Sequence, residues 1–441
     1  VIEKKINDIR LEISKLIEKF HIPCLSIGIL SKDVEYFLNF GFKDLEKCKP
    51  VNEYTLFCIA SITKMFASLL TLKIQELGKL SIYDKISKYI QLKCLEDVTI
   101  ENLLSHTSGI PAICYAENVI NNIIKRRSTP YTDIENVINL FNIVSRYYKP
   151  GEKFLYLNEG YLVVEKILEK VCNEDFEKLM RKYILDPLDM SRTGFKLDNL
   201  EDIATPYLYR RGRYYKYSIP LCIRGDGGLI SCSKDMLKFI LMLINRGRFR
   251  DVEIISKESI NEFEKERIRL PYNILDEDYY CLGLVKSILK SQNLVIYHHS
   301  GSILIHTSFL AYIPDRHVGV IVLQSGSNYP PILIGLKIIS KILDIPLVCI
   351  KPLYIDYIYS KLEGKYISHS GIYSVKVVRK GGFLTIVENY RSTILIPEDI
   401  SDKYCRFYTL SSDFRKIYAE FEIEDDTVLL RFERYLFKKV Y

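Results

Sequence analysis

Strand-forming stretches sit on both sides of a long helical block in this chain, and that order limits its fold more than any other feature. Cys24-Leu-Ser-Ile-Gly-Ile-Leu30 and Val34-Glu-Tyr-Phe-Leu-Asn-Phe40 read as strands joined by the polar turn Ser31-Lys-Asp33, hence an antiparallel hairpin. Helical periodicity then runs from Ser61 to about residue 245, over 61–77, 99–105, 133–147, 159–172, 174–184 and 233–246. Strands return at Tyr279–Leu289, Leu294–His299, Thr307–Ile313 and Gly319–Gln324, and a helix follows around Pro331–Leu343. Strand sets so far apart in sequence bury their apolar faces by sharing one sheet. The prediction is an α+β fold: a mostly antiparallel sheet flanked by helices, with a helical insert beside it and a cleft between.

The pattern changes at Gly364. Segments 364–367, 371–379, 382–388, 391–397, 404–410, 415–424, 427–433 and 435–440 alternate polar and apolar residues and are cut by Gly, Pro, Asp and Ser. About eight short strands in this space predict a C-terminal antiparallel β-barrel, lipocalin-like in outline. The expected division is a first domain over 1–345, a linker over 346–363 containing Pro346 and Pro352, and the barrel over 364–441.

Composition excludes several classes of function. The 441 residues are 48% hydrophobic, enough for a large core, and the net charge of +7 is spread without a basic block, so no nucleic-acid partner is expected. The 11 cysteines are scattered with no C-x-x-C pair, which points to buried reduced thiols and gives no zinc site. Residues 2–20 carry Ile6, Ile9, Ile13, Leu16, Ile17 and Phe20 at helical spacing among Lys and Glu. That is an amphipathic surface helix and no signal peptide. No apolar run approaches the ~20 residues of a membrane span, so no membrane association is expected and a cytoplasmic location is.

Three short motifs carry chemistry. Ser61-Ile-Thr-Lys64 opens an apolar helical run, and residues three apart on a helix share a face, so the Lys64 amine lies under the Ser61 hydroxyl. Burial among Met65, Phe66, Leu69 and Leu70 would favour the neutral amine that can accept the hydroxyl proton. The same spacing recurs at Ser231/Lys234 and Ser287/Lys290; Ser61 alone starts a long apolar helix after a strand pair. Tyr156-Leu-Asn158 follows a Pro150-Gly151 turn and is the one Tyr-x-Asn in the chain. It offers a phenol for proton transfer and an amide to orient Lys64 and a substrate carbonyl. His299-Ser-Gly301 precedes two strands. On a strand His298 would face away from His299, and Gly301, lacking Cβ, would let substrate lie against the backbone. A nucleophile, an amine, a phenol, an amide and an open strand edge are the parts of an acyl-transfer site that lacks a Ser-His-Asp triad.

In order and spacing these motifs resemble the serine β-lactamase and penicillin-binding-protein family, in its class C, esterase and D-aminopeptidase branch. Leu103-Leu-Ser-His-Thr-Ser-Gly-Ile-Pro111, with His106 as a structural residue, Gly225-Asp-Gly-Gly-Leu-Ile-Ser231 and Tyr312-Ile-Pro314 extend the resemblance over roughly residues 10–343. The resemblance implies catalysis by Ser61, Lys64 and Tyr156, and substrate binding by Asn158, His299, Gly301 and Ser302. The backbone N–H groups of Ser61 and Ser302 would form the oxyanion hole. The run Ile303-Leu-Ile-His306 departs from the Pro-Gly common in relatives, and His306 could face the cleft or the back of the sheet. No cofactor or metal is implied. The expected activity is that of a serine hydrolase acting on short peptides through an acyl-enzyme on Ser61. A carboxylesterase, an acylated sensor without turnover and a catalytically dead scaffold are its rivals. With its barrel, the layout resembles archaeal serine peptidases that carry a lipocalin-like C-terminal domain and assemble, which implies a homo-oligomer built through the barrel. A cap over the cleft and a plain packed barrel are the alternatives.

Overall fold

The computed structural model describes residues 2–114, 134–195, 200–218, 224–303, 305–380, 382–389, 391–424 and 427–440. The chain divides into two compact units, Val1–Pro346 and Leu347–Tyr441.

The first unit is built on a nine-stranded antiparallel sheet. Its strands are β1 (Cys24–Ser31), β2 (Val34–Asp44), β3 (Lys49–Pro50), β4 (Ile268–Arg269), β5 (Glu277–Tyr280), β6 (Val285–Leu289), β7 (Leu294–Ile303), β8 (His306–Ile313) and β9 (Val318–Ser325). They are ordered β4-β5-β6-β7-β8-β9-β1-β2-β3. The distant strand sets therefore meet where β1 pairs with β9, from Cys24↔Ser325 to Ser31↔Val318. Both strands are buried along their whole length, because helices cover both faces here.

The helices described in this unit are α1 (Ile2–Phe20), α2 (Thr63–Glu76), α3 (Ile100–Leu104), α4 (Ile134–Asn139), α5 (Asn158–Cys172), α6 (Phe176–Met180), α7 (Ser233–Ile244), α8 (Lys257–Glu264) and α9 (Pro331–Ile342). On the sheet face that carries Leu310, Tyr312, Ile321 and Leu323, these side chains share one core with Leu237 and Ile240 of α7 and with Met65, Phe66 and Leu69 of α2. The opposite face carries Phe309, whose ring fills the space left by Gly335 of α9. α1 buries Ile6, Ile9 and Ile13, and its Glu12 faces Lys337 and Lys341 of α9.

Several elements differ from expectation. Residues 279–289 form two strands, β5 and β6, because Cys281–Leu284 turn the chain and Gly283 takes a φ of 76°. The helix expected from Ser61 begins with a 3₁₀ turn over Ala60–Ile62 and is α-helical from Thr63. The helix expected over 133–147 is shorter, α4 followed by a 3₁₀ turn at Leu140–Asn142; residue 133 lies outside the described residues. Of the cysteines, Cys24, Cys58, Cys232, Cys281 and Cys405 are buried, whereas Cys48 and Cys114 are exposed; Cys222 is outside the described residues.

The second unit opens with a helix, α10 (Lys351–Leu362), inside the stretch expected as a linker. Pro352 sits in its first turn, where a missing N–H is harmless, and Ile358, Tyr359 and Leu362 enter the barrel core. The strands β10 (Gly364–Ser368), β11 (Ser374–Lys380), β12 (Phe383–Glu388), β13 (Arg391–Ile400), β14 (Tyr404–Leu410), β15 (Lys416–Glu424), β16 (Thr427–Phe432) and β17 (Tyr435–Val440) follow. They close into an antiparallel barrel when β10 pairs with β17. Period-two alternation sends Val375, Val377, Leu384, Ile386, Phe407, Phe421, Leu430 and Phe437 inward. Among the described residues no helix is long and apolar enough to cross a membrane.

Candidate active site

Ser61 lies in a segment held from several sides. Phe57–Cys58 pairs with Ile230–Ser231, the Ile59 N–H donates to the Leu229 carbonyl (3.0 Å), and the Ile59 carbonyl accepts from Ser308 Oγ (2.9 Å). The Cys58 N–H donates to His306 Nδ1 (3.1 Å), and His306 Nε2 donates to the Ala204 carbonyl (2.9 Å). His306 is thereby a buried strut for this segment. Burial pushes its pKa down to about 4. Ala60, immediately before the hydroxyl, takes a left-handed φ of 49°, a strained conformation of the kind that collects at functional sites.

The Lys64 side chain is fully buried. Its Nζ lies 3.2 Å from Ser61 Oγ and donates to Asn158 Oδ1 (2.8 Å) and to the Asp226 carbonyl. It also lies over two aromatic rings, 5.0 Å from the centre of Tyr156 and 5.4 Å from that of Tyr161. Ser61, Lys64, Tyr156 and Asn158 therefore converge on one amine from stretches far apart in the chain. The two other Ser-x-x-Lys pairs are engaged elsewhere: Ser231 Oγ is 2.7 Å from Thr193 Oγ1 and Lys234 pairs with Glu35, while Ser287 Oγ meets His298 Nε2 at 2.8 Å and Lys290 pairs with Glu277.

β7 supplies the opposite wall. β6 stops pairing with it at Val285↔His298, so residues 299–303 have a ladder partner on the β8 side alone and leave a sheet edge open. His299 is buried in front of that edge. Its Nδ1 donates to the Ser300 carbonyl (2.7 Å), and the Tyr280 hydroxyl donates to its Nε2 (3.1 Å). Burial, and then the charge of Lys64, hold the His299 pKa down at about 3. His298 faces the other way, against Phe309 and Ser287. A Cβ on Gly301 would run into the Ile59 carbonyl and the Ser308 hydroxyl. The missing side chain thus lets the sheet approach the Ser61 segment, rather than leaving room for substrate as expected. Ser302 is exposed next to it.

Sequence reasoning alone gives four contributors no place in the site. The Asp226 carbonyl belongs to the Gly-rich turn, which signals architecture and no chemistry. Tyr280 is hidden in what reads as one long strand, where Gly283 inside a strand-like run is the available signal of a bend. His106 has the expected structural role, since its Nδ1 accepts the Leu157 N–H (3.0 Å); its ring also lies 4.0 Å from that of Tyr156, fixing the phenol from behind. Glu165 is fully buried on α5; it accepts the Gly225 N–H (3.0 Å) and pairs with Arg224 (2.6 Å). Burial raises its pKa to about 7 against the pull of Arg224. Its available signal is an acid on the apolar face Tyr161–Leu168. Among the described residues no cluster of three or more His, Cys, Asp or Glu is placed to hold a metal ion.

The profile of the beta-lactamase family matches residues 10–333, which contain this whole arrangement. The chain belongs to the beta-lactamase family. A second profile, the Pab87 octamerisation domain, matches residues 348–438 of this beta-lactamase-family chain. The structure of an octameric penicillin-binding protein homologue from Pyrococcus abyssi is similar over 98% of this chain and 100% of that one, with 33% identity and a TM-score of 0.89. Protein flp of Staphylococcus aureus (strain N315) is 28% identical over 346 residues, covering 74% of this chain; the chain spans 66% of that protein's length. Penicillin-binding protein 4* of Bacillus subtilis (strain 168) is 24% identical over 304 residues, 64% of each.

Proposed function

We propose that the first unit is a serine hydrolase that forms an acyl-enzyme on Ser61 and acts on short peptides. The observation that carries this reading is the fully buried Lys64 amine 3.2 Å from the Ser61 hydroxyl, with Asn158 as its second partner. Ser61 Oγ attacks the carbonyl and Lys64, as the amine, takes its proton. Lys64 passes that proton through the Tyr156 hydroxyl to the leaving group as the bond from the carbonyl carbon to the leaving group breaks. Water then attacks the acyl-enzyme, the same pair takes its proton and returns it to Ser61 Oγ, and the acid is released. Asn158 orients Lys64 and the substrate carbonyl. The Ser61 and Ser302 N–H groups hold the oxyanion, with Ser302 on the open part of β7. His299 and Gly301 shape the cleft wall. A carboxylesterase is the second reading, favoured by a His299 that carries no charge to recruit a peptide carboxylate.

The test is labelling with a fluorophosphonate, followed by intact-mass measurement. Wild type gains one adduct that maps to Ser61 and Ser61→Ala gains none; unlabelled wild type ends the proposal. Matched peptide and ester substrates then separate the two hydrolase readings, and a one-equivalent burst without steady turnover points to an acylated sensor.

The second unit, in this reading, assembles copies of the chain. Support comes from the domain its profile matches, from the octameric relative, and from two apolar side chains on the barrel that water almost fully surrounds, Ile372 (90% exposed) and Phe414 (84%). Light scattering on the full chain should give a homo-oligomer that Ile372→Asp with Phe414→Asp weakens.

A further inference from the structure

Two N–H groups that share one oxyanion have to be held to within about 0.5 Å of their working positions. In the proposed reaction those groups belong to Ser61 and Ser302, which sit on separate elements of the fold. β8 is what joins them. Its residues His306 and Ser308, two apart and so on one face of the strand, reach consecutive residues of the Ser61 segment. His306 Nδ1 accepts the Cys58 N–H (3.1 Å), and the fully buried Ser308 Oγ donates to the Ile59 carbonyl (2.9 Å). Within the sheet, Ser308 pairs in register with Gly301 of β7, and Thr307 with Ser302. One side-chain bond therefore links the strand pair that carries the Ser302 N–H to the segment that carries the Ser61 N–H. The peptide plane that Ser308 holds is also the strained one. The Ile59 carbonyl and the Ala60 N–H lie in that plane, and the φ of Ala60, 49°, is its rotation about the Ala60 N–Cα bond. Alanine is costly in this left-handed region and stays there only when its surroundings over-determine it. The same carbonyl also accepts the Ile62 N–H of the 3₁₀ turn, at a longer 3.3 Å. Gly301 completes the contact from the sheet, because a Cβ there would strike both the Ile59 oxygen and Ser308 Oγ.

We infer that Ser308 is a positioning residue for the oxyanion hole: its hydroxyl pins the Ile59–Ala60 peptide to β8 and so fixes the Ser61 N–H against the Ser302 N–H of β7. This deepens the proposed hydrolase reading and rests on acylation of Ser61. The donor is not in question, since a carbonyl oxygen can only accept and the serine hydroxyl must give its hydrogen. Without that bond the Ile59–Ala60 plane is free to turn, Ala60 can leave the left-handed region, and the Ser61 segment loses its fixed distance from β7. The proton path is left in place, because Ser308 bonds main chain whereas Lys64 is held by Ser61, Asn158 and the Asp226 carbonyl.

Ser308→Ala tests this in the full chain. It should lower kcat about 10- to 100-fold, short of the about 10²- to 10³-fold of losing an oxyanion donor outright, with KM nearly constant and the pH profile of kcat unmoved. A matched ester and thionoester give the readout that a packing defect would not move. The thionoester sulfur is larger and a weaker acceptor than oxygen, so a well-set oxyanion hole discriminates against it. Wild type should favour the ester in kcat/KM, and Ser308→Ala should shrink that preference about fivefold or more. Ser308→Cys keeps nearly the volume and donates only weakly, so it should shift the same quantities in the same direction even if the alanine variant folds poorly. A kcat within about twofold of wild type, or a fall in kcat with the ester-to-thionoester ratio unchanged, overturns the inference. A second measurement needs no turnover. Hydrogen exchange of the peptide spanning residues 57–62 should speed up about fivefold in the variants, the weight of one buried hydrogen bond, while peptides of β1 keep their rates. Equal rates in wild type and variants sink the positioning role. Wild type that takes no fluorophosphonate sinks the hydrolase reading, and the exchange result then decides alone whether Ser308 holds the segment.

Discussion

The first unit buries Lys64, Glu165, His106, His298, His299 and His306, whereas the barrel interior is Val375, Val377, Leu384, Ile386, Leu395, Phe407, Phe421, Leu430 and Phe437, with Thr385 and Thr393 as small exceptions. Burying an ionisable group is unfavourable unless its partners are supplied, and an apolar side chain of equal size is the easier choice for stability alone. The barrel makes the easier choice nearly everywhere. Its one strongly buried acid among the described residues, Asp356 of α10, is paired with Arg379. The first unit makes the harder choice repeatedly, and at Lys64 it does so beside the Ser61 hydroxyl. A buried amine with a hydroxyl, an amide, a main-chain carbonyl and two aromatic rings as neighbours is what acyl transfer uses and what folding does not require.

The comparison breaks most easily at its two extremes. Lys64→Met keeps the volume of the side chain and removes the amine; Ser61 labelling should slow by about 10³-fold or more, while thermal stability holds or rises. An unchanged labelling rate would mean the buried amine serves packing. In the barrel the effect should be inverted. Phe421→Ala should lower the unfolding free energy of the second unit by about 3–5 kcal/mol, read by denaturant titration, because Tyr366 and Phe407 cannot collapse into the space their neighbour leaves.

The same contrast explains what is legible in the sequence. Barrel strands announce themselves by period-two alternation, and all eight are readable within a few residues, since one face sees the core and the other water. The shared sheet follows from element order. What escapes notice depends on tertiary approach. The turn Cys281–Leu284 is itself buried and apolar, so β5 and β6 merge in the sequence and Tyr280 falls in a ladder instead of against His299. Pro346 and Pro352 suggest a linker, but Pro352 opens a helix whose far end plugs into the barrel core. The Ser61, Lys64, Tyr156 and Asn158 set is readable because helical spacing brings the first two together and rarity singles out the last two. The Asp226 carbonyl carries no side-chain signature, and Glu165 acquires its partner from a loop sixty residues away.

That loop gives a sharper, smaller test. Glu165 grips the Gly225 N–H and Arg224, and the next carbonyl, of Asp226, accepts from Lys64. Glu165 thus acts as a positioning residue through the backbone. Glu165→Ala should lower kcat by about tenfold with KM nearly constant, and Glu165→Gln, which keeps an acceptor for Gly225, should recover most of it. A loss confined to stability, with kcat intact in the folded fraction, would leave Glu165 as core structure.

The gentlest effect, per group, concerns acid. His298, His299 and His306 are held at about 4, 3 and 4, and His106 well below its ordinary value, in each case first by burial. The unfolded chain binds protons on these rings near pH 6.5 and the folded chain does not. Unfolding therefore takes up protons, and stability rises with pH across the window between the folded values and about 6.5. It is fully present above about pH 6.5 and is lost below it, by about 0.8 kcal/mol per histidine at pH 6. The barrel's described strands hold no histidine, so this penalty belongs to the first unit. Native-state hydrogen exchange, corrected for the intrinsic pH dependence of amide exchange, should show peptides of β1, β7 and β8 losing opening free energy from pH 7 to pH 6, while those of β14 and β15 do not. Equal losses in both units would mean that something other than neutral buried imidazoles, shared by the whole chain, sets the response to acid.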